Sequence, residues 1–137
     1  MAKKNEAYVD TAALIAFTDR SDTHHSLFRH LFANPPPLVT TTLVIAEGHG
    51  WFLKRFDRSR ALQFLTMVED MTALQVLMTG ADEIAEASAL LRKFSDQDLT
   101  LTDATGLAIM RQRKINTCWS TDFHLGLTGV NLVINAG

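Results

Sequence analysis

The stretch Ala7-Tyr8-Val9-Asp10-Thr11-Ala12 joins a short apolar run to a carboxylate and then to a segment with helical character. A short apolar run that ends at a polar residue is typical of a buried strand. A carboxylate in such a position is costly to remove from water unless it is paired, hydrogen-bonded or bound to a cation. Asp10 is therefore either the N-cap of the following helix or part of a functional site.

Beyond this stretch, the apolar pattern alternates between short strand-like runs and helical periods. Strands are predicted near residues 6–10, 38–40, 73–77, 116–120 and 130–134. Helices are predicted at 11–17, 22–33, 42–55, from 57 or 58 onward, at 82–94 and at 103–113. Strands separated by helices favour an α/β fold, with a mostly parallel five-stranded sheet flanked by helices in three layers.

Length and composition predict a single domain over residues 1–137. Hydrophobic residues make up 47% of the 137 residues and charged residues 20%, which is typical of a globular protein with a substantial core. The single cysteine, Cys118, excludes an internal disulfide framework and is predicted to be a small buried hydrophobe. No apolar stretch approaches the ~18 residues needed to span a bilayer, so we expect a cytoplasmic protein without a membrane segment.

Further acidic residues stand where predicted elements begin or end. Glu47 lies one turn into an apolar helix. Asp98 and Asp103 stand on either side of the run Leu99–Thr102, and Asp122 follows the run Cys118–Thr121. Ligands of parallel sheets bind at the carboxyl ends of the strands, near a reversal of strand order. We therefore expect Asp10, Glu47, Asp103 and Asp122 to converge there.

Charge and ligand chemistry agree with a metal-dependent nuclease. The net charge of −2 would become +2 without those four acids, so the rest of the chain is slightly basic. Carboxylate oxygens suit Mg²⁺ and Mn²⁺. Each acid also has a simpler interpretation: Glu47 as a surface residue, Asp103 as a complement to a helix dipole, and Asp98 as part of a polar loop.

Four motifs in this order resemble the PIN-domain family, and within it the VapC-type ribonuclease toxins. The resemblance spans residues 6–134. The motifs are Tyr8–Ala12, Thr41–Glu47, Asp98–Ala104 and Ser120–His124.

The resemblance implies a PIN-like fold and a metal-dependent endoribonuclease, the toxin of a toxin–antitoxin pair. It assigns Asp10, Glu47, Asp103 and Asp122 as catalytic ligands of one or two Mg²⁺ or Mn²⁺ ions. It assigns supporting positions to Thr11, Asp98 and Thr121. The partners it implies are an RNA substrate, a small antitoxin protein and a second copy of the chain.

Other residues have open interpretations. His124 either orients Asp122 or contacts RNA. The basic cluster of Lys54, Arg55, Arg58 and Arg60 either holds phosphates or forms a solvated helix end. Gly48 and Gly50 weaken a predicted helix, so something is expected to approach that helix closely.

Two alternative functions stay open at this point. One is a stand-alone PIN nuclease in RNA processing, and the other is a non-catalytic RNA-binding module. A phospho-accepting receiver domain fits poorly, because Lys114 precedes its strand instead of following it.

Overall fold

The computed structural model describes residues 5–135, which form a sheet between two layers of helices. The strands are β1 (Ala7–Val9), β2 (Leu38–Thr41), β3 (Leu74–Leu77), β4 (Thr117–Trp119) and β5 (Asn131–Leu132). The α-helices are α1 (Thr11–Thr18), α2 (His25–Ala33), α3 (Thr42–Arg55), α4 (Arg58–Asp70), α5 (Ala81–Lys93) and α6 (Leu101–Arg113).

The five strands are all parallel, in the order β3-β2-β1-β4-β5. The chain extends the sheet from β1 to β2 and β3, and then crosses to the other side of β1 to form β4 and β5. Strand order therefore reverses between β1 and β4. A crevice forms at the carboxyl ends of strands at such a reversal. The predicted parallel α/β architecture is confirmed.

Side chains that alternate along the strands build two separate cores. Ala7 and Val9 face the core that is closed by α1, α2, α3 and α4. Tyr8, Val39 and Cys118 face the opposite core, which is closed by α5 and α6. Because β1 is buried on both faces, all three of its residues are apolar. Cys118 is fully buried, as predicted.

Local hydrogen bonds explain where the helices of the site region begin. Thr41 caps α3 by accepting a hydrogen bond from the Val44 backbone N–H, and Asp57 caps α4 by accepting one from Arg60. The predicted starts of these two helices are confirmed. Within residues 5–135, no helix is long and apolar enough to cross a membrane.

Three predicted boundaries were wrong by more than one residue. Helix α2 begins at His25 instead of residue 22, because Asp22 forms a turn in which its carboxylate accepts a hydrogen bond from the His24 backbone N–H. Helix α6 begins at Leu101 instead of Asp103, because Thr100 and Asp103 form a capping box that extends the helix toward the N-terminus. Strand β5 is limited to Asn131–Leu132, and Val133–Asn135 forms a 3-10 turn. Ile134 in this turn packs against both cores, which a continued strand with alternating faces would not allow.

The close approach predicted from Gly48 and Gly50 exists at Gly48 alone. A Cβ atom on Gly48 would lie 2.3 Å from Cζ of Phe64, so α4 rests directly on this glycine. A Cβ atom on Gly50 would meet nothing within 4 Å.

Candidate active site

Asp10 occupies the N-cap position of α1, but its carboxylate does not cap the helix. The side chain makes no cap hydrogen bond and is only 3% exposed. Instead, Oδ2 accepts a hydrogen bond of 2.8 Å from the Ser120 hydroxyl, across the β1–β4 boundary. The Asp10 backbone N–H donates to the carbonyl of Trp119 at 3.0 Å, which fixes the residue at the end of β1. The cap interpretation is therefore wrong for this carboxylate.

Burial raises the pKa of Asp10 to about 7. The neighbouring carboxylates of Asp103 and Glu47 contribute to this increase, whereas the Ser120 hydrogen bond opposes it. Desolvation and like charges both disfavour the ionised form. A cation that supplied positive charge would relieve both effects.

Asp103 serves as helix cap and as cleft residue at the same time. Its Oδ2 accepts a hydrogen bond from the Thr100 backbone N–H, and its own N–H donates to the Thr100 hydroxyl. This capping box holds the side chain at the start of α6, where it is 7% exposed. Burial raises the pKa of Asp103, and the carboxylates of Asp122 and Glu47 add to this increase.

Asp122 is held by the residues on either side of it. Its backbone N–H donates to Ser120 Oγ at 2.9 Å, so that one hydroxyl links Asp10 to the Asp122 backbone. Oδ1 of Asp122 accepts two hydrogen bonds from His124, one from the backbone N–H at 3.0 Å and one from Nδ1 at 2.8 Å. The other carboxylate oxygen is left for a ligand.

The four acids line one cleft of ≈ 260 Å³ at the carboxyl edge of the sheet. Its other walls come from α1, the start of α6 and the indole of Trp51, one helical turn beyond Glu47 on α3. The lining residues are Asp10, Thr11, Ala12, Ile15, Glu47, Trp51, Thr100, Asp103 and Asp122. Glu47 is the exposed member of the four, whereas Asp10 and Asp103 are buried.

The chain matches the family model of the PIN domain over residues 7–126. It belongs to the PIN-domain family. The 23S rRNA-specific endonuclease VapC20 of Mycobacterium tuberculosis is 27% identical to this PIN domain over 123 residues, 89% of this chain and 93% of that protein. The ribonuclease VapC26 of the same species is 24% identical over 115 residues, 83% of this chain and 84% of that protein.

Solved structures share the fold of this PIN domain. The crystal structure of Mycobacterium tuberculosis VapC20, described as a toxin that cleaves the sarcin–ricin loop, superposes with a TM-score of 0.83. That structure is 24% identical, and the match covers 90% of this chain and 95% of the other. A toxin–antitoxin complex from Klebsiella pneumoniae gives a TM-score of 0.62 at 18% identity, over 93% of this chain and 95% of the other.

The donor groups of this PIN domain fit a divalent cation. Asp103, Asp122 and His124 each offer one ligand atom, and these atoms lie within 4.8 Å of one another. The Thr11 hydroxyl is buried in the cleft wall and has no hydrogen-bond partner among the described residues. Buried polar groups are normally satisfied, so this hydroxyl is free for a bound water or phosphate oxygen. Carboxylate-rich sites suit Mg²⁺ or Mn²⁺.

Several residues proposed from the sequence lie outside the cleft. Asp98 is exposed and Thr121 is half-buried, and neither lines the cleft. Lys54 and Arg58 are exposed on the helices α3 and α4. Arg55 is the member of the basic cluster that approaches the site, because its guanidinium lies 5.4 Å from the centroid of the Trp51 ring.

Sequence reasoning missed Ser120 and Thr100. The position beside the last acid was assigned to Thr121, but Ser120 is the hydroxyl that contacts Asp10. The alternation of side-chain direction along β4 could have identified Ser120 from the sequence. Ser120 lies two residues beyond Cys118, and both side chains are fully buried. Thr100 could have been found as the first residue of a Thr-x-x-Asp pair, a variant of the capping box.

Proposed function

We propose that this chain is a metal-dependent endoribonuclease, the toxin of a toxin–antitoxin pair. The observation that carries the proposal is the convergence of Asp10, Glu47, Asp103 and Asp122 on one cleft from four separate segments. Desolvated carboxylates in mutual repulsion favour a cation over any internal partner. The VapC20 and VapC26 proteins, to which the chain is similar, are named as ribonucleases.

In this mechanism the four acids hold one or two Mg²⁺ or Mn²⁺ ions at the cleft. When bound, such ions activate water, orient the phosphate and stabilise the leaving oxygen. Ser120 keeps the Asp10 carboxylate facing the cleft, and the capping box of Thr100 does the same for Asp103. The proposed mechanism needs no nucleophilic side chain: water attacks the phosphorus in line, the bond from phosphorus to the 3′-oxygen breaks, and the products carry a 5′-phosphate and a 3′-hydroxyl.

Cleavage of a labelled RNA pool by the purified chain tests this function. With Mg²⁺ or Mn²⁺ we expect cuts that leave 5′-phosphates, and with EDTA we expect none. A phosphatase-sensitive 5′ end identifies the predicted product. Products ending in a 2′,3′-cyclic phosphate would contradict the mechanism, since the RNA's own 2′-hydroxyl would then be the nucleophile.

His124 is proposed as a positioning residue for Asp122. We expect His124→Ala to weaken Mn²⁺ binding by about 10-fold, because supporting hydrogen bonds orient metal ligands. His124→Asn places an amide N–H near the position of Nδ1 and should restore most of the affinity, whereas His124→Gln should not. Calorimetric titration of the free protein measures this. Equal losses in all three variants would show that the hydrogen bond to Asp122 is not responsible.

Thr11 is proposed to bind a metal-associated water through its free hydroxyl. Asp98 and Thr121 have the weakest support, since neither lines the cleft. Lys54, Arg55 and Arg58 are proposed to contact RNA phosphates outside the cleft, with Arg55 as the best-placed member.

The proposed partners and cellular setting follow from the toxin assignment. We propose a single domain over residues 1–137 that acts in the cytoplasm, forms a homodimer and is blocked by a small antitoxin. The structural similarity to a toxin–antitoxin complex supports the antitoxin. Growth arrest on expression, relieved by co-expression of a small neighbouring gene, distinguishes a toxin from a stand-alone processing nuclease.

A further inference from the structure

We propose that a chain of arginine and aromatic side chains beside the cleft binds single-stranded RNA next to the cleaved bond. This arginine track consists of Phe56, Arg60, Arg20 and Arg29, and it joins the cleft at Trp51. The inference rests on the proposed nuclease function and assigns a surface of the chain to its substrate.

The track begins at the wall of the acidic cleft. Trp51 lines the cleft and carries the Arg55 guanidinium over its ring. The ring of Phe56 lies 6.0 Å from that of Trp51, centroid to centroid. Phe56 is 40% exposed, which is unusual for a phenylalanine that packs within an aromatic cluster. The aromatic surface therefore continues outward from the cleft.

Two adjoining grooves extend this surface. The first, of ≈ 630 Å³, runs between the end of α1 and the α3–α4 turn, with Phe56 and Arg60 on one side and Arg20 on the other. The second, of ≈ 280 Å³, shares Thr18 and Arg20 with the first. It adds Arg29 and His25 from α2. The shared residues make the two grooves one path.

The arginines of this path are available for phosphates. Among the ion pairs of residues 5–135, none involves Arg20, Arg29 or Arg60. Arg60 lines the first groove with its guanidinium carbon 4.4 Å from the centroid of the Phe56 ring. The grooves contain one carboxylate, Asp19, which is 6% exposed and accepts hydrogen bonds from the backbone N–H and hydroxyl of Ser21. The balance of charge along the grooves is positive.

A single strand of RNA fits this surface better than an acidic peptide. Arginine forms paired hydrogen bonds with phosphate oxygens, and these arginines line grooves that continue toward the acidic cleft through Phe56 and Trp51. Phe56 supports Arg60 and offers no free stacking face, because its ring already stacks with Phe52 and carries the Arg60 guanidinium. An acidic peptide would use the guanidinium groups but would be repelled by the four carboxylates at the end of the path, whereas an RNA strand that follows the path brings a later phosphate to them.

Equilibrium binding of a labelled single-stranded RNA to the Asp10→Asn protein, in EDTA, tests the track apart from cleavage. Arg20→Gln with Arg60→Gln should weaken binding about 10-fold or more, with a log–log salt slope reduced by about 1.4, because each lost phosphate contact on a single strand removes about 0.7. Phe56→Leu should weaken binding by less, with the salt slope nearly unchanged, because both arginines remain and only the ring that supports Arg60 is lost. The matched control is Arg92→Gln with Arg111→Gln, which removes the same charge from the opposite face of the sheet and should leave the affinity within about twofold of the parent.

Two results would overturn the track. The first is equal weakening by the track and control pairs, which would indicate only overall charge. The second is unchanged RNA affinity in the track variants. If the same variants then lost binding of a polyglutamate peptide, the grooves would be assigned to an acidic protein partner. Cleavage by the wild-type chain, measured in parallel, reports separately on the proposed nuclease function.

Discussion

Asp10→Asn is expected to reduce metal-dependent RNA cleavage at least about 1000-fold and, at the same time, to stabilise the metal-free protein at neutral pH. The loss of cleavage follows because a neutral amide is a poor ligand for a hard cation, and a catalytic cation lowers the activation free energy by several kcal/mol. The gain in stability follows because the fold removes the Asp10 carboxylate from water and also places it beside the like charges of Asp103 and Glu47.

The folded protein is expected to lose stability as the pH rises, because of the raised pKa of Asp10. Burial raises the pKa of Asp10 in the folded protein to about 7, above its ordinary value of 3.8. The folded state therefore binds a proton more tightly than the unfolded state. The protonated Asp10 side chain makes its full contribution to the free energy of unfolding below about pH 4, and this contribution is lost as the pH rises through the folded pKa. For the wild-type protein in EDTA, the loss between pH 5 and pH 8 should be about 2 to 3 kcal/mol.

Urea denaturation in EDTA at these two pH values measures the effect. Asp10→Asn should flatten the pH dependence, and Mn²⁺ should stabilise the wild type much more than the variant. Asp96→Asn, which removes an exposed carboxylate that does not line the cleft, serves as the control and should behave as the wild type. An identical pH dependence in the wild type and Asp10→Asn would show that the fold does not perturb this carboxylate.

Gly48→Ala is expected to destabilise the protein by about 3 kcal/mol, although alanine is the better helix former by about 1 kcal/mol. The added Cβ would lie 2.3 Å from Cζ of Phe64 and 2.8 Å from Cε2. The ring is fully buried and packs 5.4 Å from that of Phe52, so it cannot swing aside. Helix α3 or α4 must shift instead, and Glu47 shifts with α3.

Gly50→Ala is the matched control on the same helix. A Cβ atom there meets nothing within 4 Å, so this change should stabilise the protein by up to about 1 kcal/mol. Urea denaturation separates the two variants, and Phe64→Leu combined with Gly48→Ala should recover part of the loss by shortening the obstructing side chain. Equal stabilisation by both alanine variants would contradict the packing of Phe64 against Gly48.

Much of the fold was predictable from local patterns. Short apolar runs located all five strands. The reason is clearest for β1, which is buried on both faces and is apolar throughout, whereas the edge strands β3 and β5 are partly exposed and include the polar residues Gln75 and Asn131. The starts of α3 and α4 followed from Thr41 and Asp57, whose capping hydrogen bonds depend only on residues two or three positions away. The end of the sheet was not predictable, because Val133–Asn135 leaves the strand in order to pack across both cores.

The candidate site was predictable to a similar extent, and for a related reason. Asp10, Glu47 and Asp103 could be placed at element ends from the sequence, and a parallel sheet brings such ends to one edge. Local reasoning could not separate the helix-cap interpretation from the site interpretation. In the structure, the Asp10 carboxylate makes no cap hydrogen bond, whereas the Asp103 carboxylate completes the capping box of α6 and also faces the cleft.

The sequence by itself therefore determined the class of fold, the order of its elements and the group of acids, since these depend on periodicity and on contacts within a few residues. The tertiary structure alone decided the contacts between segments distant in the chain. It placed the Ser120 hydroxyl against Asp10, 110 residues away, set Phe64 against Gly48 and joined Arg20 to Arg60 in one groove. These contacts depend on how strands and helices pack in three dimensions, which no local pattern encodes.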